Sequence, residues 1–269
     1  MTTYTPSTPP AEAATDDHAL AAWLATEAGR RLLEVRGEGL EGKELKDAGD
    51  RAAHELLMEL LAQLRPGDVV LSEEGKDDKA RLEADRVWIV DPLDGTREFS
   101  EPPRDDWAVH VALWERGAGD GSTGPGDLTA CAVAQPVLGE TFNTAKPPVV
   151  PPRTSAKPRI AVSRSRPPAF VEELAAELDA ELVPMGSAGV KVLSVARDVS
   201  DIYVHAGGQY EWDSAAPIGV ARAAGLFTSR IDGTPMIYNR DDVYLPDLIV
   251  CRPELADQIV AWVTSRGIG

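Results

Sequence analysis

The sequence lacks a long apolar run. No stretch of about 18 uninterrupted apolar residues occurs, which is the length that a membrane-spanning helix needs. The first 20 residues, MTTYTPSTPPAEAATDDHAL, also lack the basic and apolar regions of a secretory signal peptide. We therefore expect a soluble, cytoplasmic protein with no membrane partner. The hydrophobic content of 43% is ample for the core of a 269-residue chain.

Positive charge is also scarce. The chain carries 27 Lys and Arg against 44 Asp and Glu, which gives a formal net charge of −17. Nucleic-acid polymers need a basic surface that neutralises their phosphates, so this balance argues against nucleic acid as a partner. The same acidic excess is compatible with a site that collects cations.

Cysteine and histidine are too few, and too scattered, for a zinc site. Cys131 and Cys251 lie in the apolar segments TACAVA and LIVCR, which predicts reduced thiols in the core. A chain of this size needs no disulfide. The four histidines show no metal-ligand spacing, so we interpret them as structural or surface residues. They are His18, His54, His110 and His205.

Composition divides the chain into three parts. Residues 1–17 are rich in Thr, Pro and Ala without periodicity, which predicts a disordered tail. Residues 145–158, AKPPVVPPRTSAKP, hold too much proline for a helix or a central strand and mark a domain boundary. We therefore predict an N-terminal domain at 18–150 and a C-terminal domain at 151–269.

The two predicted domains differ in their periodicity. The first has two amphipathic helices followed by short strands, at 20–35, 53–64, 69–71, 87–90, 107–114 and 131–134. The second alternates strands with helices, at 159–162, 168–178, 192–196, 201–204, after Asp213, at 248–251 and at 255–262. This pattern predicts an α+β N-terminal half and an α/β C-terminal half.

Three acidic segments lie where a strand ends or a helix begins. LSEEG places Glu73 after a short strand, and WIVDPLDGT places Asp91 and Asp94 after another. YEWDSAAP places Asp213 ahead of an Ala-rich helix. Clustered carboxylates repel one another unless they are protonated, hydrogen-bonded or neutralised by cations. Because Mg²⁺ prefers carboxylate and carbonyl oxygens, often shared with a substrate phosphate, the pattern predicts a Mg²⁺ site.

Gly95 and Thr96 point toward phosphate chemistry. If a helix begins there, its free backbone N–H groups can face an anion, and glycine has no Cβ to block the approach. A simpler interpretation makes Asp94 an N-cap and Asp91 a turn residue, but it leaves LSEE and EWD without a role. An aspartyl-phosphate mechanism of the haloacid-dehalogenase type needs an Asp-x-Asp pair, whereas these aspartates are three apart. We therefore favour a metal-bound water as nucleophile.

These motifs together resemble a known family. DPLDGT, the preceding LSEE and the later EWDSAA are similar to the signatures of the inositol monophosphatase superfamily of Mg²⁺-dependent, lithium-sensitive phosphatases. The form DPLDGTREF most resembles the 3′(2′),5′-bisphosphate nucleotidases of the CysQ type. The agreement extends over nearly the whole chain after residue 18. It implies a layered αβαβα sandwich of the sugar-phosphatase type, an active site between the halves, and a homodimer.

The resemblance implies a set of metal ligands. Glu73, Asp91 and the backbone carbonyl of Leu93 would hold one Mg²⁺ ion. Asp91, Asp94 and Asp213 would hold the second, so Asp91 would bridge the two ions. These ligands would also surround the bound substrate. A third metal site is left open.

The resemblance also implies catalytic roles. Gly95 and Thr96 would receive the phosphate, and Thr96 with Glu73 would position the attacking water. The family has a Thr-Ala-Ala-Asp-like motif before its second helix, whose Thr and Asp assist catalysis. Here the matching segment is LKDAGD, so Asp50 keeps the acid while Asp47 replaces the Thr. Asp50 is therefore either a catalytic residue or the N-cap of the following helix.

The sequence signals for residues that would contact the rest of the substrate are weaker. GSAGVK resembles a Gly-Ser-x-x-x-Lys turn of the family, so Ser187 and Lys191 are candidates for nucleotide contacts. SRSR, at 163–166, offers Ser163, Arg164 and Arg166 for a second phosphate, since Arg pairs bidentately with phosphate. The alternative is a polar turn with solvated arginines.

Arg97 and Glu211 complete the substrate candidates. Arg97 follows the phosphate segment directly, and Glu211 either contacts a sugar hydroxyl or faces solvent.

The predicted reaction is Mg²⁺-dependent hydrolysis of 3′-phosphoadenosine 5′-phosphate to AMP and phosphate, within sulfur assimilation. 3′-Phosphoadenosine 5′-phosphosulfate is a second candidate substrate. One alternative is a broader inositol-1-phosphate or fructose-1,6-bisphosphate phosphatase. Another is a non-catalytic metal- or nucleotide-binding regulator on the same fold, although the full set of acidic residues speaks against it.

Overall fold

Two five-stranded sheets follow one another along the chain in the computed structural model, which describes residues 4–268. The first sheet has the order β1-β2-β3-β4-β5, with β1 and β2 parallel and the other pairs antiparallel. Its strands are β1 (Val69–Ser72), β2 (Arg86–Asp94), β3 (Ala108–Arg116), β4 (Gly126–Gln135) and β5 (Glu140–Asn143).

The second sheet has the order β7-β6-β8-β10-β9. β6 pairs in parallel with β7 and β8, whereas β10 is antiparallel to both of its neighbours. Its strands are β6 (Arg159–Ser163), β7 (Glu181–Met185), β8 (Ile202–Ala206), β9 (Phe227–Ser229) and β10 (Asp247–Cys251).

Seven helices cover the two sheets in the described part of the chain. They are α1 (Asp17–Arg36), α2 (Gly42–Leu64), α3 (Thr96–Phe99), α4 (Ala169–Leu178), α5 (Ala188–Ala196), α6 (Glu211–Ala223) and α7 (Ala256–Ser265). None of them is both long enough and apolar enough to cross a membrane.

The core forms in three layers because the strands alternate their side chains between two faces. On β2, Trp88 and Val90 pack against α1 and α2, whereas Val87 and Ile89 face α5 and α6. The opposite face of α5 and α6 packs on the second sheet, whose outer face is covered by α4 and α7. The order of layers is therefore αβαβα, which confirms the predicted fold class.

The proposed domain boundary falls in the segment that connects the two sheets. Residues 144–158 carry no helix or strand, and the proline-rich stretch lies within them. However, α5 and α6 of the second half share one hydrophobic core with the first sheet. The division at 150/151 therefore stays a prediction about the chain, and the two halves are packed together through a common layer.

The predicted disordered tail is wrong for residues 4–17. A 3₁₀ turn spans Ala11–Ala14, and Ser7 donates to the Glu27 carboxylate from N (2.9 Å) and Oγ (2.7 Å). Tyr4 adds a third hydrogen bond to the same carboxylate. Glu27 is only 1% exposed and needs these donors, so it anchors the segment on α1. Residues 1–3 lie outside the described residues.

Several elements were not predicted or begin elsewhere. The short strands β5, β7 and β9 gave no recognisable pattern. α2 begins at Gly42, well before its apolar stripe at 53–64. Both cysteines are buried and free, in agreement with the prediction of core thiols.

Candidate active site

The exits of β1 and β2 bring the first acidic residues together. Because the two strands are parallel, with Ser72 opposite Val90, their carboxyl ends meet at one edge of the sheet. Glu73 continues this pairing, since its N–H donates to the Val90 carbonyl at 3.4 Å. The Glu73 side chain therefore lies next to Asp91, the first residue of β2 beyond that pairing.

The end of β2 is irregular, and this irregularity turns both aspartates to one side. The register with β3 shifts between Asp91 and Asp94, which marks a bulge. The Asp91 carboxylate accepts a hydrogen bond from Leu93 N at 3.0 Å, which closes a tight turn. Both carboxyl groups are buried at this edge of the sheet.

The first turn of α6 supplies the third carboxylate. Asp213 is the third residue of the helix and accepts from Tyr210 N at 2.7 Å, so the side chain is fixed by the capping interaction. α6 packs across β2 and β3, which places its N-terminus at the exit of β2. As a result, oxygens of Asp91, Asp94 and Asp213 all lie within 4.8 Å of one another.

The electrostatics of this cluster favour a cation. Desolvation raises the pKa of Asp91 well above its usual range, and repulsion by Glu73 adds to the shift. Desolvation and repulsion by Asp94 raise the pKa of Asp213 to about 7. The pKa of Glu73 also rises to about 7, through desolvation in the cleft and repulsion by Asp213. Carboxyl groups that resist ionisation together form a favourable site for a hard divalent ion.

Asp94 is the exception in the cluster. Burial alone would raise its pKa, but His110 and hydrogen bonds from Ser187 Oγ and Gly189 N lower the pKa to about 2. The Gly189 N–H donates at 2.7 Å. Asp94 is therefore the carboxylate of the cluster that is ionised most easily.

A positive-φ glycine shapes the segment after Asp94. Gly95 has φ +90°, and a Cβ there would lie 3.2–3.3 Å from Trp107 Cβ, Asp106 O and Ser187 Cβ. Both the conformation and the space require glycine. Thr96 then begins the four-residue helix α3, and its Oγ1 lies 3.2 Å from Leu93 O and 3.4 Å from Asp50 Oδ1.

Asp50 is not an N-cap, because it lies inside α2. It faces Thr96 from the neighbouring layer, and burial together with repulsion by Glu74 raises its pKa to about 7. Asp47, which replaces the family Thr, is exposed and pairs with Lys43 on the same helix. The interpretation of Asp50 as a cap is therefore wrong, whereas its catalytic role stays a prediction.

Ser187 and Lys191 belong to the turn that supports Asp94. Ser187 Oγ donates to Asp94 and accepts from Val190 N at 3.0 Å, as the N-cap of α5. Lys191 is 5% exposed, and its Nζ donates to Gly186 O (3.0 Å) and Ser187 O (2.6 Å). Both residues line the cavity described next, so they lie in reach of a substrate while also holding the turn.

A cavity of about 580 Å³ opens beside the three aspartates. The predicted residues that line it are Asp94, Gly95, Thr96, Arg97, Ser163, Arg166, Ser187, Lys191 and Asp213. Its wall also includes residues that the sequence did not single out, namely Lys46, Glu98, Tyr203, His205 and Gln209. Apart from Glu98, which belongs to DPLDGTREF, these residues carry no local motif, and only the folded chain brings them to the site.

Two of the predicted substrate contacts, Arg164 and Glu211, do not line this cavity. The Arg164 guanidinium does not line the cavity, because it is paired with Glu98 and Glu101 at 2.6 Å each. Glu211 is 0% exposed, and its carboxylate accepts from Asn239 N at 2.7 Å and Arg240 N at 2.8 Å. It therefore does not face solvent, which was one of its two predicted roles.

His110 is a further residue that the sequence analysis did not place in the site. It lies on β3, opposite Asp91 in the pairing of β2 with β3. Its Nε2 is 3.2 Å from Asp94 Oδ2. A single histidine without a partner at ligand spacing gives no signal in a sequence, so only the strand register reveals it.

A model of the inositol monophosphatase family matches residues 11–265. The chain is 51% identical over 245 residues to a protein from Mycobacterium leprae named 3′-phosphoadenosine 5′-phosphate phosphatase, with 89% of this chain and 90% of that protein covered. It is 30% identical to the 3′(2′),5′-bisphosphate nucleotidase CysQ of Escherichia coli, which covers 74% of this chain and 81% of that protein.

Solved structures show the same architecture. The crystal structure of CysQ from Bacteroides thetaiotaomicron, described as a bacterial member of the inositol monophosphatase family, superimposes with a TM-score of 0.71. Its sequence is 26% identical, and the match covers 88% of this chain and 98% of that one.

Proposed function

Because the chain belongs to the inositol monophosphatase family, we propose that it is a Mg²⁺-dependent phosphatase that hydrolyses 3′-phosphoadenosine 5′-phosphate to AMP and phosphate. The observation that carries the proposal is the cluster of buried Asp91 and Asp94 with half-buried Asp213 beside the 580 Å³ cavity. The substrate is supported by the printed name of the relative that is 51% identical.

The donor set suits two Mg²⁺ ions. Glu73, Asp91 and the Leu93 carbonyl would hold one, and Asp91, Asp94 and Asp213 the other. When bound, the ions would neutralise phosphate charge and lower the pKa of a ligating water, which supplies a nucleophile at neutral pH. The raised pKa values of Asp91 and Asp213 support this assignment, because a nearby cation removes the cost of ionising them together.

The protein's own groups would orient the reaction. Thr96 and Glu73 flank the segment where the phosphate would lie, so their oxygens would position the attacking water. The Thr96 hydroxyl lies within reach of both Leu93 O and Asp50. Gly95 leaves room for a phosphate oxygen because it carries no Cβ. The reaction would proceed by direct displacement, without a phosphorylated protein side chain.

Basic side chains on one side of the cavity could bind a second phosphate group of the substrate. Lys46, Arg97 and Arg166 line the cavity, and Arg97 and Arg166 are exposed. Within residues 4–268 neither arginine forms a side-chain ion pair with a carboxylate. Ser163 and Lys191 line the same cavity. A bisphosphorylated nucleotide matches this charge better than a monophosphate, and 3′-phosphoadenosine 5′-phosphosulfate is a second substrate of the same shape.

We propose that this reaction belongs to sulfur assimilation, as the family resemblance suggests. The assignment also implies inhibition by Li⁺ and assembly as a homodimer, both of which the family resemblance suggests. Light scattering of the purified protein checks the dimer.

Phosphate release from a substrate panel tests the function. The purified protein is assayed with Mg²⁺, with and without Li⁺, on 3′-phosphoadenosine 5′-phosphate, inositol-1-phosphate and fructose-1,6-bisphosphate. We expect the highest kcat/KM for the nucleotide, because specificity is the ratio of these values. Faster hydrolysis of inositol-1-phosphate would overturn the substrate assignment.

Asp94→Asn tests the catalytic assignment with Asp120→Asn as its matched control. Asp94 lies in the cluster, whereas Asp120 lies on the exposed loop before β4. We expect Asp94→Asn to lower kcat by roughly 100-fold or more, in the range seen when one electrostatic group of an active site is removed. Full phosphate release by this variant would contradict the assignment.

A further inference from the structure

His110 is a fully buried side chain that lies underneath the aspartate cluster. It is 0% exposed, and its ring contacts two separate parts of the site. Nδ1 lies 3.1 Å from the carbonyl oxygen of Trp212. Nε2 lies 3.2 Å from Asp94 Oδ2. A carbonyl oxygen can only accept, so Nδ1 carries the hydrogen in the first contact.

The first contact is important because of where Trp212 stands. Trp212 is the residue directly before Asp213, in the first turn of α6. The imidazole therefore joins the β2 exit, which carries Asp94, to the helix that carries Asp213. These two carboxylates come from segments more than 100 residues apart in the sequence. Within the described residues, His110 touches the supports of both.

The space between the ring and α5 is tight. A Cβ on Gly189 would collide with Nε2, so α5 approaches the imidazole as closely as a glycine allows. The same Gly189 donates its N–H to Asp94 Oδ2 at 2.7 Å. The Asp94 carboxylate thus lies between the first turn of α5, which donates to it, and the ring of His110, whose Nε2 is 3.2 Å away.

We infer that His110 is a positioning residue, which fixes the separation between Asp94 and Asp213 and so sets the affinity of the site for Mg²⁺. The inference rests on the proposed function insofar as the cluster binds metal. Groups that orient metal ligands without touching the metal commonly change metal affinity or activity 10- to 100-fold when they are replaced. A ring that only filled space would have no such effect.

Three substitutions separate positioning from packing. His110→Phe keeps the ring volume and removes both nitrogens. His110→Asn can keep a donor near the place of Nδ1, facing Trp212 O, and His110→Gln can keep an amide near the place of Nε2, facing Asp94. We expect Mg²⁺ affinity to fall roughly 10- to 100-fold in the Phe variant, with partial recovery in the Asn and Gln variants.

Mg²⁺ binding to the protein without substrate is the primary readout, measured by titration calorimetry. The Mg²⁺ concentration for half-maximal activity and the separate changes in kcat and KM form the second. We expect kcat at limiting Mg²⁺ to fall and KM for the nucleotide to change little, because His110 does not line the substrate cavity.

His18→Phe is the matched control. The His18 ring on α1 also makes a hydrogen bond between distant segments, since its Nδ1 lies 2.6 Å from Thr144 Oγ1. We expect this variant to change thermal stability alone. If the His110 Phe variant does not fold, the Asn and Gln variants carry the comparison.

The outcomes distinguish this inference from the proposed function. Wild-type Mg²⁺ affinity in all folded His110 variants overturns the positioning role while leaving the phosphatase assignment intact. A loss of stability in those variants without a loss of Mg²⁺ affinity also overturns it. Failure of the wild-type protein to bind Mg²⁺ or release phosphate would instead overturn the proposed function itself.

Discussion

Arg164, on the segment after β6, donates a hydrogen bond from Nε to the Glu98 carboxylate of α3 at 2.6 Å. Its other arm reaches Glu101 at the same distance. Glu98 is buried, and it packs so closely on Gly186 that a Cβ there would collide with it. Glu98 of DPLDGTREF therefore attaches the phosphate segment to the C-terminal half of the chain, in addition to the hydrogen bonds of Asp94 with Ser187 and Gly189.

Arg164→Ala should destabilise the protein without weakening substrate binding. The change leaves the buried Glu98 carboxylate without its ion partner, which costs roughly 1–3 kcal/mol for a charged group with remaining solvent access. Urea unfolding measures the loss, and KM for the nucleotide should stay within about twofold. Arg153→Ala, on the exposed connecting segment, serves as the control and should leave stability unchanged. A large rise in KM with unaltered stability would restore Arg164 as a substrate contact.

Arg166→Ala should show the opposite result. Arg166 is exposed and lines the cavity, so its removal costs little stability. Loss of a guanidinium that pairs with a phosphate should raise KM for the bisphosphate nucleotide about 10-fold or more, and kcat should change less. A monophosphate substrate should be affected less, since it lacks the second phosphate. Equal effects on both substrates would mean that Arg166 does not bind the second phosphate.

Glu211→Gln should affect folding and leave substrate recognition unchanged. The Glu211 carboxylate accepts two backbone N–H groups, from Asn239 and Arg240, whereas a glutamine has a single acceptor oxygen and turns its NH₂ toward the other N–H. We expect a loss of about 1–3 kcal/mol in the free energy of unfolding. Denaturant curves measure it, and KM for the folded fraction should be close to the wild-type value. A selective rise in KM would instead support a sugar contact.

The metal cluster could be predicted because its signals are local. Asp91, Asp94, Gly95 and Thr96 lie within six residues at the end of an apolar strand. Asp213 likewise lies at the start of a recognisable helix. Strand ends and helix caps are properties of short segments, so the sequence contains them in full. The periodicity of the helices and strands predicted an α+β half followed by an α/β half, whereas the layered arrangement was implied by the family resemblance.

The sequence could not predict side-chain contacts whose partner is distant along the chain. The sequence around Arg164 gives no sign that Glu98 is its ion partner. In the same way, nothing near Glu211 indicates that the backbone at 239–240 donates to its carboxylate. His110 gave no signal, because its role depends on the register of β3 against β2. Residues 4–17 resemble a disordered tail in composition, but Tyr4 and Ser7 form hydrogen bonds with the buried carboxylate of Glu27. The composition of a segment carries no information about the distant residue on which the segment packs.

Thr96→Val should reduce turnover strongly, whereas Thr96→Ser should retain most of it. Valine keeps the branched shape and removes the hydroxyl that lies within reach of Leu93 O and Asp50. If this hydroxyl positions water, kcat should fall about 100-fold in the Val variant, within the range for loss of a group that acts in proton transfer or orientation. Serine keeps the oxygen and provides the control. Similar kcat values for the Val and Ser variants would mean that the threonine only packs.

Removal of metal should reveal the raised carboxyl pKa values as a pH-dependent loss of stability. The pKa of Asp213 is raised to about 7, so from about pH 4 to pH 7 the folded protein without metal binds more protons than the unfolded chain. The free energy of unfolding then falls as pH rises through this window. Mg²⁺ binds the ionised carboxylates, so the increase in Tm that it causes should grow with pH, to roughly 5–10 °C near pH 8 when the ion is at about 100 times its Kd. Asp213→Asn is the control, because asparagine does not titrate and its Tm in EDTA should depend less on pH. A wild-type protein with the same pH dependence in EDTA as Asp213→Asn would show that Asp213 ionises freely and that the cluster is not strained without metal.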